Sequence, residues 1–184
     1  MGQRKASWLL GELERASDVV AVGIQETHCS SDLELCQAVL DMSDRWHLVT
    51  SPAANGDGFA GLALVVSREF TVLRTNVALQ GRVLIVRVRS DVYDSEFELV
   101  LVYGYPSGRQ DWLHTIQPAL EGDCDLVVLG DFNFVTDPTD RSSGMMNDYD
   151  RRLTGQWTDL NLRLGVVDAY RLAYPTTRQY SYRQ

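Results

Sequence analysis

Lysine is almost missing from this chain: of 17 basic residues only Lys5 is lysine, and the rest are arginine. Arginine suits bidentate phosphate contacts, but an arginine excess also follows from compositional bias, and it is read that way here. Positive charge is short overall. With 25 acidic residues the formal net charge is -8, which argues against a surface that clamps nucleic acid over its whole extent, since phosphate binding normally leaves a basic footprint. A divalent cation bound at one site would offset part of that charge locally. Cysteine is scarce as well: Cys29, Cys36 and Cys124 are odd in number and show no CxxC or Cys/His spacing, so neither a disulfide framework nor a zinc site is indicated. No apolar run reaches about 18 residues, and the opening "MGQRKASWLLGELERASD" is charged and reads as a helix rather than a signal peptide. The expectation is a soluble, intracellular chain with no membrane partner.

Apolar material is plentiful. At 184 residues and 45% hydrophobic, the chain holds enough to build a substantial core, which excludes disorder and points to a single domain over 1-184. Trp8, Leu9, Leu10 and Leu13 recur at helical spacing within 5-16, and "DVVAVGIQE" follows as a strand. Ser31 with Glu34 three residues on is a capping-box signature that opens a second helix. The runs "WHLVTS", "GLALVVS", "FTVLRTNVAL", "GRVLIVRVRS" and "EFELVLVYGYP" are short, β-rich and separated by Gly, Asn, Asp and Ser clusters, with "PAANGDGFAG" the clearest loop. They read as an antiparallel meander whose partly continuous apolar strands suit a sheet packed on another sheet.

Residues 109-121 read as a helix and 125-130 as a fully buried strand. A polar, loop-rich stretch then runs to about Asp150. Helices are expected in "TGQWTDLNLRLG" and "VVDAYRLAYP", and "QYSYRQ" is a strand-like fragment. Two β-rich layers flanked by helices give an α/β sandwich.

Four residues stand where chemistry is expected. In "DLVVLGDFNFV" a hydrophobic run gives way to Asp131, Phe132 and Asn133. In an extended segment alternate side chains share a face, so Asp131 and Asn133 present a carboxylate and an amide together while Phe132 turns toward the core. Gly-Asp and Asn are also ordinary turn residues, and the stretch alone does not decide between the two. Glu26 repeats the design at the end of "VVAVGIQE", and strand ends are where α/β folds place their ligand sites. A glutamate there suits a hard cation such as Mg2+, or else a helix cap or surface ion pair. Tyr103 closes "FELVLVY" and has a hydroxyl to offer a phosphate oxygen, with Tyr105 as the neighbouring alternative.

The ordered set "IQETH", "VYGYP" and "GDFN" resembles the endonuclease/exonuclease/phosphatase superfamily. "GDFNFVTDPTDRSS", "LGVVDAYRLAYPTTRQYSYR" and the QETH form of the glutamate motif look most like the endonuclease domain of non-LTR retrotransposons, over about Trp8 to Arg183. The resemblance implies a four-layer αββα, DNase I-like sandwich that hydrolyses DNA phosphodiesters with Mg2+ or Mn2+. By matching position it implies Glu26 as a metal ligand and Tyr103 as a group binding the scissile phosphate. It implies Asp131 orienting or deprotonating the attacking water, and Asn133 holding the phosphate in its transition-state geometry.

It also implies DNA as the partner, a longer polyprotein with reverse transcriptase, and a nuclear location for an active enzyme. The family begins with a strand carrying an Asn near the metal and ends with a Ser-Asp-His that supplies a metal ligand and the acid/base partner. This chain opens on the helix after that first strand and stops before those last residues, so a domain truncated at both ends is expected. His28, His47 and His114 are read as ordinary histidines rather than substitutes. The alternatives are an inactive domain of the same fold serving as a binding or structural module, and a phosphatase or phosphodiesterase of the same superfamily.

Overall fold

The computed structural model describes residues 12, 15, 18-29, 31, 45-54, 60-109 and 111-177. The helix expected from Ser31, most of the one over 5-16, and the "QYSYRQ" fragment lie outside them. Two compact units are resolved, one combining residues 1-103 with 123-131, the other 104-122 with 132-184.

The first unit holds two sheets. One has the order β1-β3-β2, built from β1 (Ala21–Ile24), β2 (Trp46–Ser51) and β3 (Leu62–Ser67), all antiparallel. The other has the order β4-β5-β6-β7, with β4 (Phe70–Leu79), β5 (Val83–Ser90) and β6 (Ser95–Tyr103) antiparallel and β7 (Asp125–Asp131) parallel to β6. The expected meander is therefore split. Only β4, β5 and β6 form one, because β3 takes β1 and β2 as its neighbours instead.

Strand β3 is buried along its whole length, the condition its unbroken apolar run foretells. Leu62, Leu64 and Val66 face one core, where they meet Leu84, Val86 and Val88 of β5 and Leu99, Leu101 and Tyr103 of β6. The alternate residue Val65 packs with Trp46, and Ala63 with Cys29. A core leucine such as Leu101 stabilises the fold by about 1.5–3 kcal/mol relative to an exposed one. This inter-sheet core fixes the strand ends from which the candidate residues project. Strand β7 departs from the expected full burial: Val127 is 49% exposed, and Gly130 and Asp131 are exposed too.

The second unit contains α1 (Trp112–Leu120), a short 3-10 turn (Pro138–Asp140), α2 (Asp148–Leu164) and α3 (Ala169–Ala173). Helix α1 buries Trp112, Leu113, Ile116 and Leu120. Helix α2 begins earlier than the apolar pattern suggests, because Asn147 and Asp150 form a capping box at its start. Its stripe of Leu153, Trp157 and Leu160 follows the spacing of one helix face, and Trp157 packs on Phe132 with ring centroids 4.8 Å apart. Phe134 completes that aromatic cluster. No described helix is long and apolar enough to cross a membrane.

Candidate active site

Three of the four expected residues belong to the first unit, and strand pairing gathers two of them. Tyr103 ends β6 and Asp131 ends β7, and the two are register partners in the parallel pair. Parallel pairing brings like ends together, so both side chains emerge at the C-terminal edge of the sheet. Gly130 makes this approach possible: its φ is +135°, and a Cβ there would overlap the Val102 carbonyl oxygen.

Glu26 reaches the same place from the other sheet, two residues past β1. Tyr103 Oη donates to Glu26 Oε1 at 2.6 Å. The backbone at Glu26 is left-handed, with φ 52°, as it is at His28, with φ 55°. Such a conformation is uncommon for residues with a side chain and persists where surrounding contacts impose it. Those contacts come from the loop before β3: Thr27 N–H donates to Gly61 O and His28 N–H to Ala60 O, each at 3.2 Å. His28 Nε2 lies 3.8 Å from Glu26 Oε2, with both side chains about half exposed.

The Tyr103 ring is buried, while its hydroxyl meets a carboxylate. Burial pushes the phenol pKa up to about 12, helped by the hydrogen bond to Glu26 and by the negative charges of Glu26 and Asp131, against the opposing effect of the Arg82 cation. The hydroxyl therefore stays a proton donor at neutral pH.

Asn133 belongs to the second unit. The strand stops at Asp131, and Asn133 takes a left-handed conformation with φ 56°, so the strand alternation expected to align it with Asp131 does not operate. Asn tolerates this geometry better than most residues. Its Nδ2 donates to Gly104 O at 2.9 Å, which ties the amide to a carbonyl 29 residues earlier in the chain. Phe132 is partly buried against Phe134 and Trp157. Tyr105, the alternative to Tyr103, is engaged elsewhere: its carbonyl accepts from Tyr149 Oη and its hydroxyl from Arg109 Nη1.

Sequence reading missed Arg82. It is buried, and its guanidinium carbon lies 4.5 Å from the centre of the Tyr103 ring. Nothing in "GRV" signals that, because the contact joins positions 21 residues apart.

Among the described residues no group of three His, Cys, Asp or Glu side chains is placed to hold a metal ion. The donors present at the strand ends, Glu26 with Asp131 nearby, are oxygen ligands of the kind a hard cation prefers. Mg2+ commonly takes only one or two carboxylates, completing its shell with water and substrate phosphate. The donor chemistry of Glu26 and Asp131 is therefore of the kind such an ion takes.

Two strand-end carboxylates and a phenol hydroxyl thus stand together on a two-sheet α/β scaffold. The sequence profile of the Endonuclease/Exonuclease/phosphatase family matches residues 3–183, and the chain belongs to that family. Comparison with curated protein sequences gives no match. Among solved structures, the AP endonuclease LMAP from Leishmania major is 20% identical with a TM-score of 0.73, covering 97% of this chain and 66% of its own. The APE2 catalytic domain of Xenopus laevis is 17% identical, with a TM-score of 0.70 over 96% of this chain and 71% of that one. The endonuclease domain of TRAS1, a telomere-specific non-LTR retrotransposon, is 19% identical, with a TM-score of 0.62 over 85% of this chain and 66% of that one. The fold is the DNase I-like α/β fold of these structures, and the chain spans about two thirds of the length of each.

Proposed function

We propose that this chain is a DNA-nicking phosphodiester hydrolase of the retrotransposon type, dependent on Mg2+ or Mn2+. The observation that carries the reading is the meeting of Glu26, Tyr103 and Asp131 at three strand ends, with a 2.6 Å hydrogen bond from phenol to carboxylate. In this reading Glu26 holds the divalent cation. Tyr103 donates its hydroxyl to a non-bridging oxygen of the scissile phosphate, Asp131 orients the attacking water and accepts its proton, and the Asn133 amide donates to the phosphate as negative charge develops there. When bound, the cation withdraws charge from the phosphoryl oxygens and the leaving group.

The retrotransposon assignment is supported by "GDFNFVTDPTDRSS" and the QETH motif, together with the likeness to the TRAS1 domain. A reverse transcriptase in the same polyprotein and a nuclear location follow from it. Reading 1–184 as one domain is supported by a family match that runs across both units.

The test is incubation of the purified chain with supercoiled plasmid in Mg2+ or Mn2+, beside Asp131→Ala. Conversion to open circles by the wild type and its loss in the variant are expected. Nicking that persists unchanged in Asp131→Ala would sink the role given to Asp131, and no nicking by either protein would favour an inactive binding module.

A further inference from the structure

We propose that Arg82 is a positioning residue for Tyr103: its guanidinium, stacked on the phenol ring, holds the hydroxyl toward Glu26. The inference rests on the reading of Tyr103 as the phosphate-binding group and adds a residue which that reading does not contain.

Three observations carry it. The first is the position of the guanidinium over the ring, its carbon 4.5 Å from the ring centroid. The second is a backbone tie at the same place, since Tyr103 N–H donates to Arg82 O at 2.7 Å. One residue thus holds both the backbone and the ring of Tyr103 just where the β5–β6 ladder ends, its last register pair being Val83 with Val102.

The third is the rigidity of the turn that carries Arg82. Gly81 N–H donates to the buried Ser51 Oγ at 2.8 Å, Gly81 O accepts from Gly61 N–H at 3.0 Å, and Arg82 N–H donates to Leu79 O at 2.9 Å. Gly81 is left-handed at φ +66°, and a Cβ there would come within 3.0 Å of Ala53 Cα and Pro52 O. The turn is tied by these hydrogen bonds to residues at the edge of the neighbouring sheet.

Arg82 is only 4% exposed, so its side chain is packed against its neighbours. A planar cation is suited to a ring face because it stacks flat and is attracted by the π-electrons. The phenol stays pointed at the carboxylate without having to be ordered when substrate arrives.

The experiment uses the full chain, with Arg82→Met, Arg82→Lys, Tyr103→Phe and the double variant Arg82→Met/Tyr103→Phe. Each is assayed for plasmid nicking to separate kcat from KM, and each is labelled with 3-fluorotyrosine for 19F NMR. The Tyr103 resonance is assigned by its loss in Tyr103→Phe. Arg82→Met is expected to lower kcat about tenfold with KM within about twofold, the scale of a desolvated cation–π contact. Arg82→Lys, which keeps the charge without the plane, falls between. In the Tyr103→Phe background Arg82→Met lowers kcat no further, because the two act through one hydroxyl, and the Tyr103 line shifts and broadens in Arg82→Met.

Losses that multiply in the double variant, or an unchanged Tyr103 line in Arg82→Met, overturn the proposal. Absence of nicking by the wild type overturns the functional reading alone, and the resonance then decides Arg82 by itself. If Arg82→Met does not fold, Arg82→Lys carries both measurements.

Discussion

A phenol that donates to a carboxylate keeps its proton, and Tyr103 does so from a buried ring whose pKa is pushed up to about 12. The hydroxyl is therefore a donor at neutral pH, available without prior ionisation. Tyr103→Phe removes the donor and leaves the ring. Loss of one placed donor to a developing oxyanion lowers kcat by about 10²–10³. Glu26 is half exposed and recovers its hydration, so the stability cost is about 1 kcal/mol, read as a fall of roughly 2–4 °C in the melting temperature. A variant that nicks plasmid at the wild-type rate contradicts the role given to Tyr103. Of the residues proposed to act here, the sequence singled out Glu26, Tyr103, Asp131 and Asn133 as candidates by type and order. It did not identify Arg82, whose importance lies only in what it touches.

At the scale of elements, the entry into α2 is held by one buried carboxylate. Asp150 accepts from Arg141 Nε at 2.5 Å and Nη2 at 2.7 Å, and from the backbone N–H groups of Asn147 at 3.0 Å and Val135 at 3.3 Å. Burial by itself raises the Asp150 pKa, but the Arg141 hydrogen bonds and the two amides outweigh it and hold the carboxyl below the usual range.

A depressed folded-state pKa sets the sign of the pH effect. The stabilisation is complete above the unfolded value of about 4 and is lost as pH falls through the folded value. Asp150→Asn is expected to cost about 2–3 kcal/mol at pH 7, a buried-pair figure reduced because Arg141 is partly solvated. In urea unfolding from pH 7 down to pH 2, the gap between wild type and variant should close, and a gap independent of pH would contradict the assignment.

Strands β2 and β4 coincide with the runs "WHLVTS" and "FTVLRTNVAL", because β-branched and aromatic residues bounded by breakers mark a strand locally. The start of α2 is hidden because "DYDRR" is polar and its signal is a cap rather than a stripe.

For the whole molecule, the net charge of -8 sets a condition on any nucleic-acid substrate. Opposite charge has to be supplied where the phosphate lies, and in the proposed reading a divalent cation on Glu26 supplies it. Isothermal titration with Mn2+ tests this without requiring turnover. Glu26→Ala is expected to weaken Mn2+ binding by about tenfold or more, since even indirect supports of a metal site cost that much. Equal binding by wild type and variant would remove Glu26 from the cation site.

The sequence by itself determined the fold class and most strand limits, and it singled out Glu26, Tyr103, Asp131 and Asn133 as candidates, because burial patterns, breakers and motifs are local properties of the chain. Only the tertiary structure decided which strands share a sheet, that β7 is half exposed, that Asn133 is set by a left-handed turn, and that Arg82 lies on the ring of Tyr103. Each of these depends on contacts between residues far apart in sequence, whose partners are chosen by packing and hydrogen-bond satisfaction across the folded chain.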